Sequence, residues 1–307
     1  MTKYYPEGVI YETKQNKRNI SSVPALRESF FEGRILEAKA NLCDGEHNLH
    51  VDLGSIKGII PRTECALGIA EGTTKDIAIV SRVNKPVVFK ITDFFDDENG
   101  NRTAVLSRRA VQEDCVRDYI SNLTSGDIIP AKVTHNEHFG SFCDIGCGIS
   151  ALLPIDGISV SRIPSPETRF SVNSQINAVV KSIDENGRVT LSLKELLGTW
   201  EENAEQFSAG QTVGGIVRSV EKYGVFIELA PNLAGLAEYS EDVRVGDAAS
   251  VYIKSVNPQK MKIKLAIVDT FPAEHRQTTL KYYFDGAHID YWRYSPDSSE
   301  KVIESIF

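Results

Sequence analysis

Apolar and polar residues alternate along the chain in short runs, the period of a half-buried strand. Leu49, Val51 and Leu53 share one side of such a run, with His50 and Asp52 on the other. Ser141, Cys143 and Ile145 oppose Phe142 and Asp144 in a second, and Val225, Ile227 and Leu229 oppose Phe226 and Glu228 in a third. Each run is predicted to turn its apolar side to a core and to leave one ring beside one acid on the solvent side.

The three runs are parts of a repeat. Each follows an opening strand, Ala38-Lys39-Ala40, Ala131-Lys132-Val133 or Gly215-Ile216-Val217. Each precedes a short apolar strand, Gly58-Ile59-Ile60-Pro61, Ala151-Leu152-Leu153-Pro154 or Gly235-Leu236-Ala237-Glu238. A closing hairpin comes last, with first arms at 88–93, 179–184 and 252–257 and second arms at 105–109, 190–194 and 264–268. Four landmarks in one order give five strands per unit, the count of a small closed barrel of the oligonucleotide-binding (OB) type. The expected fold is mainly β: three tandem five-stranded OB-fold barrels joined by helical linkers.

The expected segments are an N-terminal extension (1–30), a divergent first barrel (31–110), a helical linker (111–124) and a second barrel (125–194). A second linker (195–209), a third barrel (210–268) and an aromatic C-terminal extension (269–307) follow. Val111, Cys115, Tyr119 and Ile120 recur at helical spacing in the first linker, and Leu196, Leu197, Trp200, Ala204 and Phe207 in the second. Residues 1–23 are polar and are expected to be partly disordered. The C-terminal extension is too aromatic for that and is expected to pack on the third barrel.

Composition narrows the chemistry. Apolar residues at 41% and charged residues at 25% are ordinary for a globular chain. No apolar run could span a bilayer, and the first residues lack the apolar core of a signal peptide. The five cysteines do not make a disulfide framework, so a reducing cytoplasm is expected. Cys143 and Cys147 with His135 and His138 resemble part of a zinc site, but an inward Cys143 cannot easily meet the others, so no metal or cofactor is expected. The net charge is −8, with −5 over residues 125–210 and zero over 211–270. That balance argues against salt-driven duplex binding and leaves single-stranded binding by stacking open. There is no Gly-rich phosphate loop, nucleophile elbow or His-Glu-x-x-His, and the acid pairs Asp96-Asp97 and Glu201-Glu202 read as solvated charge. No catalytic activity, small-molecule substrate or membrane association is expected.

The stretch Gly215-Ile-Val-Arg-Ser-Val-Glu-Lys-Tyr-Gly-Val-Phe-Ile-Glu-Leu229, followed by Leu233-Ala-Gly-Leu-Ala237, resembles the RNA-binding repeat of the ribosomal protein S-one family. His138-Phe-Gly-Ser-Phe142 and Asp184-Glu-Asn-Gly-Arg-Val-Thr-Leu-Ser-Leu193 resemble the same repeat's opening and closing signatures. The likeness covers roughly residues 31–268, and the whole chain looks like the short S-one-like proteins of Gram-positive bacteria. It implies that an exposed barrel face binds single-stranded RNA. Carried over, the site residues are Phe139, Phe142, Asp184 and Arg188 in the second barrel, with Pro154 where the family often has His. In the third they are Tyr223, Phe226, Asn257 and Lys262, with Glu238 in place of that His. In the first barrel His47 and His50 stand at the ring positions.

Strand alternation independently turns Phe142 and Phe226 to solvent, where base stacking supplies a reason for an exposed ring. Lys132 and Arg218 on opening strands, Lys181 and Lys254 on fourth strands, and Lys262 and Lys264 on the last strand are candidate phosphate contacts. The expected function is single-stranded RNA binding, with messenger RNA as ligand and the small ribosomal subunit as partner, in a cytoplasmic bacterial ribonucleoprotein. The alternative is a protein-docking scaffold or an accessory factor in RNA decay or transcription.

Overall fold

The computed structural model describes residues 3–96, 100, 102–273 and 280–307. The tip of the first closing hairpin, including Asp97, lies outside the described residues. The chain divides into two compact units, one of Met1–Leu123 with Asp144–Ser150, the other of Thr124–Cys143 with Ala151–Phe307.

The first unit opens with α1 (Lys14–Ile20) and α2 (Val23–Phe31). Thr13 and Ser22 cap them, each accepting a backbone N–H of the first turn through its hydroxyl oxygen. The barrel strands β1 (Leu36–Cys43), β2 (Leu49–Asp52), β3 (Lys57–Ile60), β4 (Pro86–Asp96) and β5 (Arg102–Ser107) close in the order β1-β2-β3-β5-β4. Leu36, Leu49, Val51, Leu53, Phe89 and Leu106 fill the interior, as the alternation predicted. Gly58 faces this core, where a Cβ would come within 2.7 Å of the Leu106 Cδ1. The short α3 (Ile77–Val80) lies in the insert between β3 and β4. The first linker forms α4 (Arg109–Asp118), with Val111, Gln112 and Cys115 buried.

From residue 3 onward the N-terminal extension is ordered, contrary to the expectation from its polar composition. Its polar groups are buried as barrel partners: Asn16 donates to the Glu37 carbonyl at 2.7 Å and accepts the Glu37 N–H at 2.9 Å. Tyr4 and Glu7 are buried as well. Both Glu7 carboxylate oxygens are held by Arg108, at 2.6 and 3.0 Å, and the Val88 N–H donates to one of them at 3.1 Å. The Gly8 N–H lies 3.0 Å from each oxygen of the buried Glu37 carboxylate.

Burial pushes the Glu37 carboxyl up to about 8, opposed by the Gly8 N–H and reinforced by the Glu7 charge. A carboxyl raised above its unfolded value of 4.5 binds protons more tightly in the folded state. Its contribution is therefore fully present below that value and is lost as pH rises through about 8. Urea unfolding of the full chain is expected to show the first unit weaker at about pH 9 than at about pH 5, with Glu37→Gln flattening the decline. An unchanged slope in the variant would refute this assignment.

In the second unit, β6 (Ile128–Glu137), β7 (Gly140–Asp144), β8 (Ser150–Pro154), β9 (Gln175–Ile183) and β10 (Val189–Ser192) form a closed barrel in the corresponding order. The ends of β7 and β8 that meet at Asp144–Ser150 cluster with the first unit. A single helical turn, α5 (Ile155–Ile158), follows β8. The second linker makes a tight turn at Lys194–Leu197 and then α6 (Trp200–Ala204), started by a reciprocal Thr199–Glu202 capping box. The third barrel closes from β11 (Thr212–Glu221), β12 (Gly224–Ala230), β13 (Leu233–Ala237), β14 (Ala248–Asn257) and β15 (Lys262–Phe271). A terminal pair, β16 (Tyr291–Arg293) and β17 (Glu304–Ile306), completes the chain. Among the described residues no helix is long and apolar enough to cross a membrane.

The C-terminal extension touches more than the third barrel. The Tyr294 hydroxyl donates to the Asn232 carbonyl at 2.5 Å, and the Trp200 N–H donates to the Tyr294 carbonyl at 2.9 Å. On the second barrel, the Asn177 N–H donates to the Tyr282 hydroxyl oxygen, and His288 lies 2.7 Å from the Asp127 carboxylate. Backbone groups of the linker and of both barrels thus receive the segment, a distribution that aromatic content alone does not specify.

Candidate nucleic-acid interface

The opening hairpins of the second and third barrels present matching pairs of rings. Phe139 and Phe142 meet edge to face, 6.1 Å between centroids and 90° between planes. Tyr223 and Phe226 do the same at 6.1 Å and 87°. Phe139 and Tyr223 lie in the turns and are 44% and 70% exposed; Phe142 and Phe226 are half-buried on β7 and β12. Edge-to-face packing fixes the two rings relative to each other.

The glycine between the rings sets this geometry. A Cβ on Gly140 would stand 2.5 Å from the Leu153 carbonyl oxygen, and one on Gly224 would stand 2.4 Å from that of Ala237. Only a residue without a side chain lets the hairpin approach the third strand this closely. In the second barrel the Ile155 N–H also donates to the Phe139 carbonyl at 2.9 Å, which ties the turn to the end of β8.

The closing hairpins are exposed. The Asp184 Oδ1 accepts the N–H groups of Asn186 and Arg188, at 2.9 and 2.8 Å, so this carboxylate organises the turn that carries Arg188. Asn257 accepts the Lys260 N–H at 2.9 Å in the same manner. Lys181, Arg188, Lys262 and Lys264 are exposed, while Lys132 is half-buried on β6. Lys254 pairs with Glu238 at 2.8 Å, which holds that carboxyl below its ordinary range and neutralises the acid that stands in the His position.

Arg218 does not lie on this face. Its side chain is buried and bidentate on Glu228, with Nε–Oε2 at 2.9 Å and Nη2–Oε1 at 3.1 Å. Arg169, from the loop between β8 and β9, holds the same carboxylate, with Nη1–Oε1 at 2.7 Å. Both arginines are consumed inside the unit, which corrects the reading of Arg218 as a phosphate contact and of Glu228 as a solvent-facing acid. Asp144 is likewise buried, accepting the N–H groups of Glu7, Gly146 and Gly148. Burial and the neighbouring Glu7 charge push its carboxyl up to about 6.

The first barrel carries no ring pair at this place. His47 sits in the turn at φ +64°, and His50 bonds Asp44, with Nε2–Oδ2 at 2.9 Å. Lys90, equivalent to Lys181 and Lys254, is paired with Asp114 of α4. Cys143 and Cys147 are buried while His135 and His138 are exposed. Among the described residues no cluster of His, Cys, Asp or Glu could hold a metal ion.

His135 and His138, candidate metal donors by sequence, both lie against the ring pair. His135 lies parallel to Phe142, at 6.5 Å and 20°, and His138 meets Phe139 edge to face at 5.2 Å. The usable signal was their position beside the Phe-Gly-x-Phe turn.

Three closed five-stranded barrels, two of them with paired rings on the opening hairpin, define a class: tandem barrels of the OB type. The S1 RNA binding domain family matches residues 122–194. Small ribosomal subunit protein bS1 of Staphylococcus haemolyticus is 30% identical over 285 residues, covering 87% of this chain and 69% of that protein. The Staphylococcus aureus protein of the same name is 29% identical over 305 residues, covering 92% of this chain and 75% of that protein. That of Leuconostoc lactis is 29% identical over 280 residues, and the match covers 88% of this chain but only 61% of that protein. The chain belongs to the bS1 family of ribosomal proteins, a family of RNA-binding proteins and not of enzymes.

Proposed function

We propose that the chain binds single-stranded RNA in translation, with messenger RNA as the ligand and the small ribosomal subunit as the partner. The observation that carries this reading is the duplicated ring pair, the same edge-to-face geometry on two barrels. The turn rings Phe139 and Tyr223 are exposed and serve no core, and a base stacked on such a pair buries it without requiring a particular sequence. Exposed Lys181, Arg188, Lys262 and Lys264 supply phosphate contacts at the closing hairpins of the same barrels. With His47 and His50 at the ring positions and Lys90 paired, the first barrel contributes less to RNA affinity. The bS1 relatives lend the placement on the small subunit.

Fluorescence anisotropy with a labelled single-stranded RNA tests the proposal. Replacing both Phe142 and Phe226 by Ala removes one stacking ring per barrel, at about 1–3 kcal/mol each. Affinity is therefore expected to fall at least about thirtyfold. No binding below about 100 µM at low salt, or equal binding by the double variant, would overturn it.

A further inference from the structure

We propose that His135 is a third base-stacking ring of the second barrel, forming with Phe142 a two-ring shelf that takes an unpaired nucleobase. The inference rests on the RNA-binding reading and extends it to a residue outside the repeat's signature.

The placement of His135 follows from a bulge. Along β6 the inward positions are Ile129, Ala131 and Val133, so strict alternation would also turn residue 135 inward. The first and third barrels show why it does not. The pairing register slips between Ala40 and Leu42 in β1 and between Val217 and Ser219 in β11, bringing Leu42 opposite His50 and Ser219 opposite Phe226. A bulge inserts one residue and reverses which face the following residue occupies. His135 is the corresponding residue of β6, and its side chain is 60% exposed.

Several contacts hold it beside Phe142. The Thr134 hydroxyl donates to the Phe142 carbonyl at 3.1 Å, and the Ser141 hydroxyl donates to the Asn136 side-chain oxygen at 2.7 Å, which lock β6 against β7 at this level. The Glu137 carboxylate lies 2.7 Å from His135 Nε2 and fixes the imidazole orientation. The ring planes of His135 and Phe142 stay within 20° of parallel. Two near-parallel rings offer a base more aromatic surface than Phe142 alone, and stacking energy grows with that contact.

Neither of the other barrels has a ring at this position. The third has Ser219 beside Phe226, so its shelf is one ring wide. It keeps Glu221 at the place of Glu137, ready to hold an imidazole introduced at 219. The first has Leu42, 54% exposed, beside His50. The second barrel therefore has the broadest stacking surface of the three.

The test measures binding of labelled single-stranded oligoadenylate by the full chain and four variants. His135→Ala should weaken binding about fivefold, whereas His135→Phe, which keeps a ring, should stay within about twofold of the parent. Ser219→His should tighten binding by broadening the third barrel's shelf. If His135→Ala binds like the parent while Phe142→Ala is weakened, the shelf is refuted and the RNA-binding reading stands. If His135→Phe is as weak as His135→Ala, the ring is not what matters and the proposal also fails. If the parent chain does not bind the oligonucleotide, both readings fall.

Discussion

Glu228→Ala is expected to destabilise the second compact unit by about 3–5 kcal/mol, the cost of leaving buried charge without its partner. The side chains of Arg169, Glu228 and Arg218 are 0%, 4% and 7% exposed. The carboxylate receives two N–H groups from each guanidinium, and Arg169 also donates to the Pro231 carbonyl at 3.0 Å. Removing Glu228 strands two positive groups with little water to solvate them. The same physics makes the complete triad a poor source of net stability, since desolvating three charges offsets most of their attraction. Arg169→Met, Glu228→Leu and Arg218→Met together should therefore recover most of what the single substitution loses. Urea unfolding of the full chain provides the comparison: a single-variant loss below about 1 kcal/mol, or a triple variant weaker than the single one, contradicts the account.

Glu7→Ala should produce a loss of similar size, about 3–5 kcal/mol, in the first unit. Glu7 and Arg108 side chains are 5% and 4% exposed, and Arg82 reaches the same carboxylate at 3.1 Å. Burial alone would raise the Glu7 carboxyl, but the Arg108 charge and hydrogen bonds outweigh it and hold it below its ordinary value. A lowered carboxyl contributes stability that is present above the unfolded value and is lost as pH falls. The deficit of Glu7→Ala should accordingly shrink in acid, where the parent loses the same pairing. Arg108 Nη2 also occupies the space beside Gly148, where a Cβ would lie 1.9 Å from it at φ +78°. Gly148→Ala should thus disturb the same cluster, through backbone strain as well as contact. A Glu7→Ala chain as stable as the parent at neutral pH would show that the buried Glu7–Arg108 pair does not hold this unit together.

These two clusters show where sequence reasoning stops. Period-two alternation placed Leu49, Val51 and Leu53 inside one barrel and Val225 and Ile227 inside another, and the structure buries them all. The same rule sent Asp144 and Glu228 to solvent, and both are buried. Alternation says which side of its own strand a residue occupies; it carries nothing about what later covers that side. The arginine partners of Glu228 stand 10 and 59 residues away, and those of Glu7 stand 75 and 101 away. No local period encodes such distances.

The ring pairs lay at the other extreme. The spacing Phe-Gly-x-Phe and its counterpart Tyr-Gly-x-Phe make a turn with one ring in it and one on the next strand, and the glycine is explained by the third strand, whose carbonyl oxygen would stand within 2.5 Å of any Cβ there. His135 fell between. Its neighbourhood was visible, but the bulge that turns it outward is a defect in pairing, invisible until the strands are laid side by side.

By itself the sequence determined the repeat, the five-strand count of each barrel, most of the inward set and the positions of the two ring pairs, because these follow from interactions between residues close along the chain. Only the tertiary structure decided which charges are available to a ligand, that Arg218 and Lys90 are spent on internal partners, and that a polar N-terminal extension is an ordered part of its unit. The physical reason is range: strand periodicity and turn geometry act over a few residues, whereas desolvation and ion pairing depend on whatever the fold brings near.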